Sequence, residues 1–144
     1  MDFSQTPVAT IIFIFTIVIS VYALYFKQSI IEKGVLRPYL IVRGKNLGSL
    51  IYNGFLHANG MHLLFNMITF YFFAFQLEKT IGSLNFFILY FASMIVSDIP
   101  SIIQYRDDPE YASLGASGAI SGIVFSMILF YPFSGLYVFP IPFP

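Results

Sequence analysis

The chain has 144 residues, of which 58% are hydrophobic and 10% are charged. A soluble domain carries roughly 25% charged residues, and the mean hydropathy of +0.80 is high for a chain in contact with water. The formal net charge is zero, which gives no reason to expect nucleic acid as a partner. With no cysteine and two histidines, the sequence offers no disulfide, no thiolate nucleophile and no metal site. We predict an integral, multi-pass membrane protein that uses no cofactor.

Four apolar stretches are predicted to form membrane-spanning helices. Residues 7–26 carry no charge, and 20 residues at 1.5 Å per residue match about 30 Å of hydrocarbon. The other predicted spans are residues 60–77, 84–105 and 116–131. Pro100 is expected to kink the third span or to end its regular part, and the proline-rich tail 140–144 is expected to lead into another span. The predicted fold class is an all-α, polytopic transmembrane helical bundle.

The loop of residues 27–50 holds five of the seven basic residues. Short apolar stretches at 35–36 and 39–42 indicate that this loop lies in the membrane interface rather than forming a free linker. By the positive-inside rule, its basic residues place it on the cytoplasmic side.

A serine between two glycines begins the fourth predicted span. Ser117 lies between Gly115–Ala116 and Gly118, where glycine permits a tight turn and a close approach to a substrate backbone. Free N–H groups at the start of a helix can donate to an oxyanion. The alternative is helix packing, because Gly118, Gly122 and Ser126 have the spacing of small residues at helix contacts. The motif by itself favours packing.

Several polar residues elsewhere are candidates for a site. His62 and Asn66 are four residues apart and share one helix face, so both can donate hydrogen bonds into a cavity that faces Ser117. The alternative is that they bond neighbouring helices. His57 lies in the turn before them, near the site, in a structural or accessory role. Asp98 needs a partner or a wet cavity, and we expect it near the end of a kinked helix rather than in the site.

Three motifs in this chain resemble those of rhomboid intramembrane serine proteases. Residues 54–67 closely resemble the second transmembrane helix of that family, and residues 78–83 resemble its end and the following turn. Residues 115–119 resemble the Gly-x-Ser-x motif at the start of the fourth helix. The resemblance implies that residues 1–144 form a partial rhomboid domain, with four helices of a six-helix core.

The resemblance also implies a chemistry. Ser117 corresponds to the nucleophile, while His62, Asn66 and the backbone N–H of Ser117 correspond to the donors that stabilise the oxyanion, with Gly115 permitting the close approach. The family's general base is a histidine on the sixth helix. Because the histidines present are His57 and His62, we expect that base beyond residue 144 and expect residues 1–144 alone to be inactive. The implied partners are transmembrane protein substrates in the bilayer, and the expected location is the cell (inner) membrane.

Two alternatives remain open at this point. One is a non-catalytic rhomboid-like protein that binds membrane clients, and the other is an unrelated four-helix membrane protein. The orientation is open as well, because the family places residues 27–50 outside the cytoplasm, whereas their basic residues favour the inside. The labelling of a cysteine introduced at residue 45 distinguishes the two orientations.

Overall fold

The structure is a computed structural model that describes residues 3–132, and the predicted tail 140–144 lies outside this range. Within it the chain is helical apart from loops and one isolated bridge. The α-helices are α1 (Pro7–Tyr25), α2 (Ser29–Gly34), α3 (Pro38–Ile41), α4 (Ser49–Tyr52), α5 (Gly60–Ile81), α6 (Ser83–Gln104) and α7 (Ser117–Phe130). By length and composition α1, α5 and α6 can cross a membrane, and α7 is a shorter apolar helix. The predicted all-α membrane bundle is confirmed.

The ends of α5 follow from local chemistry. The side chain of Asn59 accepts a hydrogen bond from the backbone N–H of His62 at 2.9 Å, which caps the start of the helix. Gly82, with a φ of +82°, ends the helix in a conformation that side chains other than glycine rarely adopt. The helix therefore continues past residue 77, where the predicted second span ends, to Ile81.

α6 does not end at Pro100. The helix runs through this residue to Gln104, although a proline removes one N–H from the helical ladder and its ring crowds the preceding turn. The proline lies only about one turn before the end of α6, so few helical hydrogen bonds follow it.

Glu78 ties the end of α5 to the start of α1. Its two carboxylate oxygens accept hydrogen bonds from the backbone N–H groups of Val8 at 3.1 Å and Ala9 at 2.6 Å, and the side chain is buried. These N–H groups have no partner within their own helix, and the helix dipole favours a negative charge at this end. A carboxylate on one helix thus caps another.

Aromatic side chains fill the core between α1, α5 and α6. Phe70 on α5 is fully buried and makes edge contacts with Phe86 and Tyr90 of α6 at centroid distances of 6.4 and 5.9 Å. Phe13 of α1 approaches Phe70 at 5.9 Å. Burial of such rings supplies shape-specific packing in a bilayer, where lipid is as apolar as the side chains.

Glycines bring α7 against α6. A Cβ added at Gly118 would overlap the side chain of Ser97, and one added at Gly122 would overlap that of Ser93. Small residues at both faces let the two backbones approach closely. The packing role predicted for the small residues of α7 therefore belongs to these glycines, which fixes how the first turn of α7 sits on the bundle.

We expect Gly122→Ala to lower the free energy of unfolding by about 1–3 kcal/mol, because the new methyl group overpacks a contact with the short side chain of Ser93. In a Ser93→Gly background, where that side chain is absent, Gly122→Ala should lower the free energy of unfolding much less than it does in the wild type. Denaturation in mixed micelles measures both effects. Equal losses with and without Ser93→Gly would contradict a direct contact.

The segment between α1 and α5 packs onto α6 and onto the strand-like segment before α7. Leu36 is fully buried and pairs with Ser113 through backbone hydrogen bonds of 2.9 and 3.0 Å. The backbone N–H of Gly115 donates to the carbonyl of Asn53 at 3.0 Å, and the Asn53 amide donates to Asp98 on α6 at 2.9 Å. Asp98 therefore has a partner and holds the segment against α6.

Candidate active site

Ser117 is the first residue of α7, and it lies at an uncapped helix start. The preceding residue, Ala116, is buried and provides no side-chain cap, so the first N–H groups of the helix remain free to donate. The Ser117 side chain is exposed, and its hydroxyl has no hydrogen-bond partner within residues 3–132. Its carbonyl accepts a bond from the hydroxyl of Ser121 at 2.8 Å. This end of α7 can bind a negatively charged oxygen.

His62 lies against the backbone just before Ser117. Gly115 has a φ of +130°, and a Cβ added to it would lie 2.6 Å from Cε1 and 2.9 Å from Nε2 of the His62 imidazole. Only a residue without a side chain leaves room for the ring at this place. The His62 imidazole on α5 thus packs against Gly115, which precedes Ser117 by two residues in the chain.

Asn66 and His57 lie beside His62. The amide nitrogen of Asn66 is 2.9 Å from Nε2 of His57, and both side chains are buried. The rings of His57 and His62 meet edge to face, with centroids 5.0 Å apart. The structure therefore brings His57, His62, Asn66 and Gly115 together at the end of the bundle where α7 begins.

A comparison with known protein families identifies the family of the chain. The model of the Rhomboid domain matches residues 45–144. The chain belongs to the rhomboid family.

Several rhomboids are similar to it. The putative rhomboid protease YdcA of Bacillus subtilis is 39% identical over 99 residues, which cover 62% of this chain and 47% of the relative. Rhomboid protein 1, mitochondrial, of Saccharomyces cerevisiae is 35% identical over 100 residues, which cover 65% of this chain and 29% of the relative. Rhomboid-like protease 3 of Toxoplasma gondii is 36% identical over 73 residues, which cover 51% of this chain and 27% of the relative. This rhomboid chain therefore spans less than half the length of these relatives.

The candidate site includes a residue that the sequence analysis missed. Ser20 of α1 is buried, its hydroxyl donates to the carbonyl of Phe55 at 2.7 Å, and its oxygen lies 2.9 Å from Nδ1 of His57. A signal was available, because Thr16 and Ser20 are four residues apart, on one face of a largely apolar span. Polar groups in such a span usually face a partner or a cavity.

Burial changes the acidity of His57. The ring is completely buried in the turn before α5, and this burial, together with a smaller effect of the charge of neighbouring His62, lowers the pKa of His57 to about 4. The groups bonded to its two nitrogens, the Ser20 hydroxyl and the Asn66 amide, are uncharged. His57 is therefore a neutral imidazole at pH 7.

We expect this rhomboid to lose stability as the pH falls from about 6.5 to 4. The pKa of His57 is about 4 in the folded protein, against 6.5 unfolded, so the unfolded chain binds more protons in this window. The loss between pH 7 and pH 5 should be about 2 kcal/mol. The free energy of unfolding of the wild type and of His57→Gln, measured at both pH values, tests this. If the pH dependence of stability persists in His57→Gln but disappears in His62→Gln, the effect belongs to His62 and the prediction is wrong.

Proposed function

We propose that the protein is an intramembrane serine endopeptidase with Ser117 as its nucleophile. The observation that carries the proposal is the packing of the His62 imidazole against Gly115, beside a serine at an uncapped helix start. Asn66 lies one turn further along the same helix, with its amide held in the interior. Membership of the rhomboid family and the protease names of two relatives support the same chemistry.

In the proposed reaction, the hydroxyl of Ser117 attacks the carbonyl carbon of a peptide bond and forms a tetrahedral intermediate. Its negative oxygen accepts hydrogen bonds from the Ser117 backbone N–H, His62 and Asn66. A general base must take the serine proton and return it to the leaving amine, after which water hydrolyses the acyl-enzyme. Donors placed in advance in this way stabilise charge that develops only in the transition state.

Neither histidine of the chain suits the role of general base. Both nitrogens of His57 already have partners, and His62 has the place of an oxyanion donor. We therefore propose that the base of a Ser-His dyad is a histidine beyond residue 144, and that residues 1–144 by themselves do not cleave peptide bonds.

The proposed substrates are transmembrane segments of other membrane proteins. The site lies where the apolar helices α5 and α7 begin, within reach of the end of a transmembrane segment of another protein. Segments with weak helical propensity should be preferred, because a peptide bond within a helix is not accessible to the hydroxyl of Ser117. We propose the cell membrane as the location.

Cleavage of a panel of transmembrane substrates by the intact protein in proteoliposomes tests the proposal. Ser117→Ala should abolish cleavage, whereas Ser121→Ala should leave it within about twofold, since that hydroxyl only bonds the carbonyl of Ser117 one turn away. Stoichiometric binding of the panel without cleavage, unchanged in Ser117→Ala, would instead indicate a client-binding protein.

A further inference from the structure

The proposed reaction gives no task to the buried imidazole of His57. His57 has no accessible surface, yet both of its ring nitrogens are within hydrogen-bond distance of a polar side chain. One of those partners, Asn66, is a proposed oxyanion donor. The other, Ser20, lies on a different helix, 37 residues earlier in the chain.

Counting hydrogens fixes the direction of these bonds. The hydroxyl of Ser20 uses its single hydrogen on the carbonyl of Phe55, so its oxygen must accept the bond from His57. Nδ1 of His57 therefore carries the hydrogen. In a neutral ring Nε2 is then an acceptor, and the Asn66 amide, 2.9 Å away, donates to it.

Burial agrees with this assignment. It lowers the pKa of His57 to about 4, so the ring is neutral at pH 7 and keeps a lone pair for Asn66. A protonated ring would have a hydrogen on both nitrogens, and Nε2 would then face the N–H of Asn66 as a second donor.

We propose that His57 is a positioning residue that orients the amide of Asn66, and that Ser20 selects the tautomer of His57 which makes this possible. The inference rests on the proposed function, in which Asn66 stabilises the oxyanion. One N–H of the Asn66 amide is bonded to His57, and the other has no partner within residues 3–132 and is available to the substrate.

The role matters because an asparagine amide rotates easily. The terminal torsion of asparagine is broad and roughly two-fold, so without His57 the carbonyl and the NH₂ group can exchange places. The flipped amide presents an oxygen where a donor is needed. Loss of one oxyanion donor typically lowers kcat by 10²- to 10³-fold. Without His57, kcat should fall in proportion to the fraction of Asn66 amides that keep the correct orientation, by about twofold for an equal mixture and by up to about 10²- to 10³-fold if the flipped form predominates, while KM stays nearly unchanged.

Matched variants of the intact protein test the role by cleavage kinetics. His57→Leu and Ser20→Ala should lower kcat, and His57→Gln, whose side-chain oxygen can accept from Asn66, should retain more activity than His57→Leu. Thr16→Val is the control for Ser20→Ala, since Thr16 is also buried on α1, one turn away, and its hydroxyl has no partner within the described residues. Equal effects of Ser20→Ala and Thr16→Val would overturn the role of Ser20.

A double variant separates positioning from general stability. If His57 acts through Asn66, His57→Leu should change kcat little when Asn66 is already alanine. A structural role instead predicts the same fold-loss in both backgrounds, and that result would overturn the proposal. If the wild type shows no cleavage dependent on Ser117, the proposed function itself fails, and the positioning role fails with it.

An experiment without turnover tests the bonding directly. A long-range ¹H–¹⁵N spectrum of the intact, ¹⁵N-histidine-labelled protein distinguishes the two neutral tautomers. We expect the Nδ1–H form for His57 in the wild type and its loss in Ser20→Ala. The Nε2–H form in the wild type would overturn the proposal while leaving the role of Ser117 unaffected.

Discussion

Replacing Gly115 by alanine is expected to lower cleavage by at least about 100-fold. The methyl group would lie 2.6 Å from Cε1 of His62, and the φ of +130° is strained for any residue with a side chain. Both effects move the imidazole away from the backbone that leads into Ser117. Initial rates of the intact protein in proteoliposomes, compared at equal amounts of folded enzyme, measure the loss.

Gly44→Ala is the control for this prediction. Gly44 also has a positive φ, +70°, but an added Cβ there has no heavy atom within 4 Å. Alanine is strained at this φ as well, although less than at +130°, and the contact with His62 is missing. Similar losses of activity in the two variants would show that strain alone, and not displacement of the imidazole, explains the result at Gly115.

Glu78→Ala is expected to lower the free energy of unfolding by about 3 kcal/mol. The substitution leaves the N–H groups of Val8 and Ala9 without an acceptor, and Ala9 is fully buried. It also removes the negative charge that the first turn of α1 favours. Denaturation in mixed micelles measures the change.

Two further variants give this prediction its controls. Lys79→Ala changes the next residue, which is exposed, and should alter stability by less than about 0.5 kcal/mol. Glu78→Gln keeps the shape but offers one acceptor for two donors, so its loss should be intermediate. A stability of Glu78→Ala equal to that of Lys79→Ala would contradict the capping of α1 by this carboxylate.

The sequence predicted the long apolar helices, and among their ends it misplaced that of α5. Runs of apolar residues are a local signal, so the existence of α1, α5 and α6 follows from the chain itself. The predicted second span stops at residue 77, before the charged residues Glu78 and Lys79, whereas α5 continues to Ile81 and ends at Gly82. The N–H groups that pair with the buried carboxylate of Glu78 lie about 70 residues earlier, where a local pattern does not show them. The helix α6 continues past Pro100 because only about one turn follows the proline, so few helical hydrogen bonds are affected.

The sequence likewise predicted some residues of the candidate site and missed others. Ser117, His62 and Asn66 are carried by short motifs whose spacing is visible in the chain. The pairing of Ser20 with His57 is not visible, since the two residues meet only when α1 packs beside the turn before α5. The partner of Asp98, the amide of Asn53, was hidden for the same reason, because it comes from a segment 45 residues earlier.

The central claim is that the hydroxyl of Ser117 is an activated nucleophile. Reaction of the intact protein with a fluorophosphonate, followed by peptide mapping in a mass spectrometer, tests it most directly. We predict a single phosphonyl adduct, located on Ser117 and absent from Ser117→Ala. An adduct on another residue, or none on the folded wild-type protein, would contradict the claim.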